Sequence, residues 1–179
     1  MKEIDEVSSL RFVLRNFKKY LLFISFSMLL SSFSFAQKSI EIAKFENGNP
    51  TLNNNLDSSC IKAFERTFRD GTKVIGLKVE KIGNNYFLLA DCNYKNYKRK
   101  AAINIEQQGD LLILKEDALM KICSAVACQT CNFFIENNKI IACKCEQTGT
   151  ISNHCHYKST LTNIFFQNLQ RAIKMMGNK

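Results

Sequence analysis

Apolar and polar side chains alternate with a period of two through the middle of this chain. Residues 72–82 place Ile75, Leu77 and Val79 on one face and Gly76, Lys78 and Glu80 on the other, and Gly83-Asn84-Asn85 turns the chain into residues 86–92. Residues 99–106 set Ala101, Ile103 and Ile105 against Lys100, Ala102 and Asn104, and Gln107-Gln108-Gly109-Asp110 leads into residues 111–115. Connections this short join antiparallel neighbours, because a parallel crossover takes about a dozen residues. Upstream, residues 39–45 alternate imperfectly and stop at a turn cluster that holds the only proline, Pro50, so they predict a short strand. The polar, Asn-rich residues 51–57 read as a connection. Ile61, Phe64 and Phe68, with Ala63, then recur at helical spacing before Gly71, predicting a helix over 59–70 with Asp57 or Ser58 as its N-cap.

Further along, residues 116–123 predict a short helix. Two apolar runs, 132–136 and 139–145, surround Asn137-Asn138, and asparagine tolerates the positive φ of a tight hairpin turn. A two-residue turn there sets Glu136 opposite Lys139 and Asn132 opposite Cys143. Strict alternation then puts Cys143 and Cys145 on the face of Phe134 and Ile141, with Cys131 on the other. From Ser159 or Thr160 onward, Leu161, Ile164, Phe165, Leu169, Ala172, Ile173 and Met176 form one apolar stripe opposite Asn163, Gln167, Gln170, Arg171 and Lys174, which predicts a C-terminal amphipathic helix. Such a helix docks on its own domain, or lies on an anionic membrane when its polar face is basic.

The expected fold class is α+β. One helix lies against a four-stranded antiparallel meander, followed by a disulfide-rich hairpin module and a C-terminal helix. The expected organisation is a leader over residues 1–36, the helix-and-meander domain over 37–116, the cysteine-rich module over 117–158 and the helix over 159–179.

The first residues bear on where the chain goes. An uncharged apolar run over 20–30 follows Arg11, Arg15, Lys18 and Lys19 and leads to Ser34-Phe35-Ala36, the order of a secretory signal with cleavage after Ala36. The charge-free stretch 20–36 is at the short limit for a spanning helix, so an uncleaved anchor is the competing reading. Cleavage leaves 143 of the 179 residues, enough for one domain with a real core, and a net charge of +7 against +9 for the whole chain. A basic balance suits an anionic surface, or another exported protein, as partner. Nucleic acid is not expected outside the cell. The expected location is periplasmic or extracellular.

All eight cysteines follow residue 36, so export delivers every one to an oxidising space. Six of them, Cys123, Cys128, Cys131, Cys143, Cys145 and Cys155, fall within about thirty residues together with His154 and His156. Density of this kind marks a disulfide framework, a metal site or a thiol redox site. Export favours disulfides. Six cysteines allow fifteen connectivities, and spacing alone selects none. Cys60, at the start of the predicted helix, and Cys92, at the end of a strand, are a further candidate pair that staples helix to sheet.

Two alternatives remain. Zinc is the candidate cofactor if Cys128, Cys131, Cys143, Cys145, His154 and His156 supply thiolates and imidazoles to a tetrahedral site; otherwise no cofactor is expected. Thiol redox chemistry at Cys128 and Cys131 wants a helix N-terminus within a βαβ unit, and the pattern shows no such unit. The run Tyr94 to Lys100 mixes two tyrosines with Lys95, Lys98, Arg99 and Lys100, a candidate contact for an anionic surface or a solvated hairpin tip. The chain carries no Gly-x-Ser-x-Gly elbow, no phosphate-binding glycine loop, no His-Glu-x-x-His and no calcium loop. The expectation is a binding or structural protein and not an enzyme.

In element order the chain resembles the cystatin-like arrangement, where one helix is wrapped by an antiparallel meander. The first hairpin of inhibitory cystatins carries Gln-x-Val-x-Gly, and here that hairpin reads Lys81-Ile82-Gly83-Asn84-Asn85, so protease inhibition is not implied. In general layout the chain resembles small, uncharacterised cysteine-rich exported proteins of bacteria, a resemblance that implies no activity.

Overall fold

The computed structural model describes residues 38–53, 55–147, 151 and 154–177; the leader expected over 1–36 lies outside them. The described elements are β1 (Ser39–Glu46), β2 (Asn49–Leu52), α1 (Asp57–Phe68), β3 (Lys73–Ile82), β4 (Asn85–Tyr94), β5 (Tyr97–Gln108), β6 (Leu111–Lys115), β7 (Leu119–Ala125), β8 (Cys131–Glu136), β9 (Lys139–Cys145), β10 (Cys155–Leu161) and α2 (Asn163–Gly177).

The predicted meander holds through β3, β4 and β5 and then fails. β5 is long, and it changes neighbours along its length. Tyr97–Ile105 run beside β4, Arg99–Ile103 also pair with β7, and Glu106–Gln108 pair with β6. β6 continues onto β1, which pairs with β2, while β7 pairs with β10. The product is a curved, mostly antiparallel eight-stranded sheet that comes close to closing into a barrel, not a helix against a four-stranded meander. The cystatin-like order is thereby corrected. Two physical causes account for the difference.

The first is that β7 is covered on both faces. Met120 and Ile122 point toward the helices, whereas Cys123 and Ala125 pack into the cysteine layer. A strand buried on both sides shows no alternation of apolar and polar residues. Residues 119–123 therefore resemble a helix in sequence although they extend β5. Residues 159–161, expected to open the C-terminal helix, belong to the strand β10, so that helix begins only at Asn163, and the stretch 49–52 is the strand β2.

The second is that β-bulges break the period. The register of β3 shifts between Val74 and Gly76, which turns Ile75 out to solvent at 56% exposure and leaves Leu77 and Val79 against the core. In β1 the shift between Glu41 and Ala43 lets consecutive Ile42 and Ala43 both point inward, at 0% exposure.

Three layers result. On one face of the sheet α1 and α2 pack together, Phe64 meeting Phe165 with ring centroids 4.5 Å apart, above Leu88, Ile103, Leu112 and Leu114. Burying a side chain of that size contributes roughly 1.5–3 kcal/mol. The C-terminal stripe thus docks on its own domain, through Phe165, Phe166, Leu169 and Ala172. Helix α1 ends at Arg69, whose left-handed φ of 57° turns its N–H to the Glu65 carbonyl. On the opposite face lies the separate β8–β9 hairpin, which packs Ile140 and Phe133 against Ile82, Phe87, Leu89 and Ala102. Lys121 Nζ donates to the Ile140 carbonyl at 2.7 Å, and burial beside the Lys139 charge lowers its pKa below that of an ordinary lysine.

Candidate functional site: the cysteine layer

The β8–β9 turn forms as its two asparagines predict, with φ of 48° at Asn137 and 60° at Asn138, and Glu136 faces Lys139. Beyond that pair the register slips. Ile135 faces Ile140 and Phe134 faces Ala142, so a bulge at Ile141 puts Phe133, and not Asn132, opposite Cys143, and Cys131 opposite Cys145. One inserted residue reverses the facing of everything that follows it. Ile141 turns outward at 42% exposure, and Cys131 joins Cys143 and Cys145 on the buried face. Cys131 therefore does not lie on the opposite face from them.

Three disulfides close this layer. Cys123 on β7 bonds Cys143 on β9, Cys128 in the β7–β8 connection bonds Cys145 at the end of β9, and Cys131 on β8 bonds Cys155 on β10. The bonded Cα atoms are 5.7, 6.0 and 5.8 Å apart, near the most common separation. Every bond runs from the hairpin to another part of the chain and none across the hairpin, so the hairpin is fastened to β7, to β10 and to the loop between β7 and β8. The protein is disulfide-stabilised. Cys128 and Cys131 are not bonded to each other, and they sit in a loop and a strand, not at a helix N-terminus.

Cys60 and Cys92 do not complete a fourth bond. Both are free thiols inside the core formed by the sheet and helices. Cys92 Sγ contacts the carbonyl of Ala90 on its own strand, 3.9 Å away, and both side chains act there as small apolar residues. Burial, reinforced by Asp57, pushes the Cys60 thiol up to about 12; burial, opposed by Arg99, pushes Cys92 up to about 12.

The ligand set expected for zinc is only partly assembled. The sulfurs of Cys128, Cys131 and Cys155 lie within 4.8 Å of one another, and all three residues are buried. Cys143, Cys145, His154 and His156 are not part of that group, and Cys155, which was not among the expected ligands, is. His156 pairs with Ser124, whose face of β7 looks toward Arg99, whereas Cys155 pairs with Ala125 in the cysteine layer. Period two therefore separates His156 from the sulfurs. The carbonyl of His154 accepts from Val126 and Ala127 at 2.9 and 3.2 Å.

Of the four basic candidates, two have structural partners. Arg99 Nη1 pairs with Asp70 Oδ2 at 2.7 Å and donates to Thr72 Oγ1 at 2.6 Å, and Nε donates to Ser124 Oγ at 3.0 Å. Its guanidinium lies over the rings of Phe68 and Tyr94, at 4.8 and 4.9 Å. Burial pushes the Asp70 carboxyl up, but hydrogen bonds from Thr72 and Arg99 outweigh it and hold the pKa below the usual carboxylate value. This box of one cation and two rings ties the end of α1 to β5 and β7, and sequence gave no sign of it beyond the residues themselves. Lys100 pairs with Asp91 at 3.3 Å. Lys95 and Lys98, with Tyr97 between them, are exposed at the β4–β5 turn, Lys95 lying over the Tyr94 ring at 5.3 Å.

No protein-family model, curated protein or solved structure matches this chain.

Proposed function

We propose that this is an exported binding module that presents the basic β4–β5 turn to an anionic surface and whose disulfides keep that turn in place outside the cell. The observation that carries this reading is a single hydrogen bond. The Lys98 N–H donates to the carbonyl of Gln129 at 3.4 Å, and Gln129 lies between Cys128 and Cys131, each of which is bonded into the cysteine layer. The turn is thus braced by the disulfide-fastened loop. Lys95 and Lys98 have no carboxylate partner among the described residues, and Tyr97, 41% exposed, offers an aromatic contact beside them. Three disulfides are the usual mark of an oxidising compartment, which supports export. Among the described residues no helix is long and apolar enough to cross a membrane.

Co-sedimentation with phospholipid vesicles tests the reading. Binding to vesicles that contain an anionic lipid, weakening as salt is raised, is expected, with little binding to zwitterionic vesicles. The double variant Lys95→Glu, Lys98→Glu is expected to weaken it at least about tenfold, at roughly 1 kcal/mol for each charge lost at the surface. Equal binding to both vesicle types, or no change in the double variant, contradicts it.

A further inference from the structure

We infer that four of the six bonded cysteines, Cys128, Cys131, Cys145 and Cys155, become a site for one zinc-class divalent ion when their two disulfides are reduced. The inference rests on the disulfide pairing described above, because it treats that pairing as the closed form of the same site.

The geometry starts from three sulfurs. Those of Cys128, Cys131 and Cys155 lie within 4.8 Å of one another although they belong to two different disulfides. Cys145 falls outside that group of three, but it is bonded to Cys128 and is the Cα partner of Cys131 across the hairpin, so it offers the fourth sulfur. In a tetrahedral thiolate site with metal–sulfur distances of about 2.3 Å, the sulfurs stand about 3.8 Å apart. A disulfide holds its two sulfurs about 2.0 Å apart, so each needs to move only on the order of 1 Å to reach that spacing. Cys128 and Cys131 also have the two-residue spacing with which a turn presents a pair of ligands to zinc.

A second observation favours the reduced, metal-free pair that precedes metal binding. Gln147 Oε1 lies 2.7 Å from Cys128 Sγ and 3.0 Å from Cys145 Sγ. A disulfide has no proton to offer this acceptor. Two thiols do, so the carboxamide is placed for the reduced pair.

The chemistry balances as follows. A dithiol reductant gives two electrons and two protons to each disulfide, breaking one S–S bond and leaving two thiols, while the reductant closes to its own cyclic disulfide. Metal binding then releases the thiol protons, and each sulfur supplies the electron pair of its bond to the metal. The third disulfide, Cys123–Cys143, lies outside the group and takes no part in the site.

The test uses the purified protein, reduced with a dithiol, freed of it under nitrogen, and titrated with cobalt(II) and then with zinc. Reduced protein is expected to take up one cobalt per chain with thiolate-to-cobalt charge-transfer absorption, which zinc displaces, while the oxidised protein takes up none. The double variant Cys123→Ser, Cys143→Ser keeps this stoichiometry. Cys131→Ser and Cys155→Ser each weaken binding at least about tenfold, since the loss of even an outer-shell partner costs that much. Far-UV circular dichroism of each variant, with and without metal, shows whether it folds. Three results overturn the inference: a folded reduced chain that binds no cobalt, binding that Cys155→Ser leaves intact, and a reduced chain that unfolds and is not refolded by metal. Oxidised protein that shows free thiols at these four positions would instead contradict the disulfide pairing itself, a separate outcome.

Discussion

Gly83, in the β3–β4 turn, packs directly on Asn138, in the β8–β9 turn. A Cβ at Gly83 would overlap the Asn138 Cβ and stand 2.8 Å from its Cγ and 3.0 Å from its Cα. Gly83 also has a φ of 61°, which disfavours any other residue. The contact is where the tip of the hairpin meets the sheet, at the end remote from the disulfides. Gly83→Ala is expected to lower stability by about 1–3 kcal/mol. Asn138→Gly suits its own positive φ of 60° and removes the obstructing side chain, so it should restore part of that loss in the double variant. Urea unfolding of the two single variants and the double checks this, and strict additivity would show that the turns do not touch.

The Arg99 box is a stability element. Arg99→Met removes the ion pair to Asp70 and two hydrogen bonds, and is expected to cost about 1–3 kcal/mol, below the figure for fully buried pairs because Asp70 is about one-third exposed, at 31%. Asp70 also makes stability depend on pH. Its folded pKa is lowered, so its contribution is fully present above the unfolded value of about 3.9 and is lost as pH falls through the folded value. Wild type should lose more stability than Arg99→Met on acidification from neutral pH to about 3, as read by urea titrations at both pH values.

Cys60 and Cys92 should resist alkylation in the native protein. Each is almost fully buried, at 0 and 1% exposure, and each thiol titrates at about 12, so the reactive thiolate is scarce near neutral pH. Mass spectrometry after iodoacetamide is expected to show no adduct on native protein and two on protein unfolded without reductant. Rapid labelling of the folded chain at either position contradicts the packing.

Each disulfide closes a short loop, with sequence separations of 20, 17 and 24 residues. The chain-entropy relation gives about 3 kcal/mol for loops of this size. Paired cysteine-to-alanine variants should therefore each lose about that amount in denaturant unfolding. A loss well under 1 kcal/mol for Cys123 with Cys143 would mean that the other two disulfides and the Ile140 and Phe133 contacts hold the hairpin without this bond.

The helices could be read from sequence because each has one apolar and one polar face: Phe64 on α1, and Phe165 and Leu169 on α2, stand out at helical spacing. The hairpin turn was legible for a local reason, the two adjacent asparagines. β7 was hidden by the burial of both its faces, Met120 and Ile122 toward the core and Cys123 and Ala125 toward the hairpin, whereas β10 is a mostly polar segment in which only Cys155 is buried, so it carries no apolar strand pattern. Bulges at Ile75 and Ile141 are invisible to any argument from strict alternation, and ignoring the second puts Cys131 on the wrong face. As a set, the six clustered cysteines were identified as disulfide-forming. Their pairing needed the register, which is a long-range property. Cys60 and Cys92 look like the others in sequence, and only their place in the core separates them.

Disulfide mapping tests the account most directly. Proteolysis of the alkylated, non-reduced protein, followed by mass spectrometry, should give linked peptides for Cys123 with Cys143, Cys128 with Cys145 and Cys131 with Cys155, and unlinked peptides for Cys60 and Cys92. A Cys128–Cys131 or Cys60–Cys92 link in the native protein contradicts it.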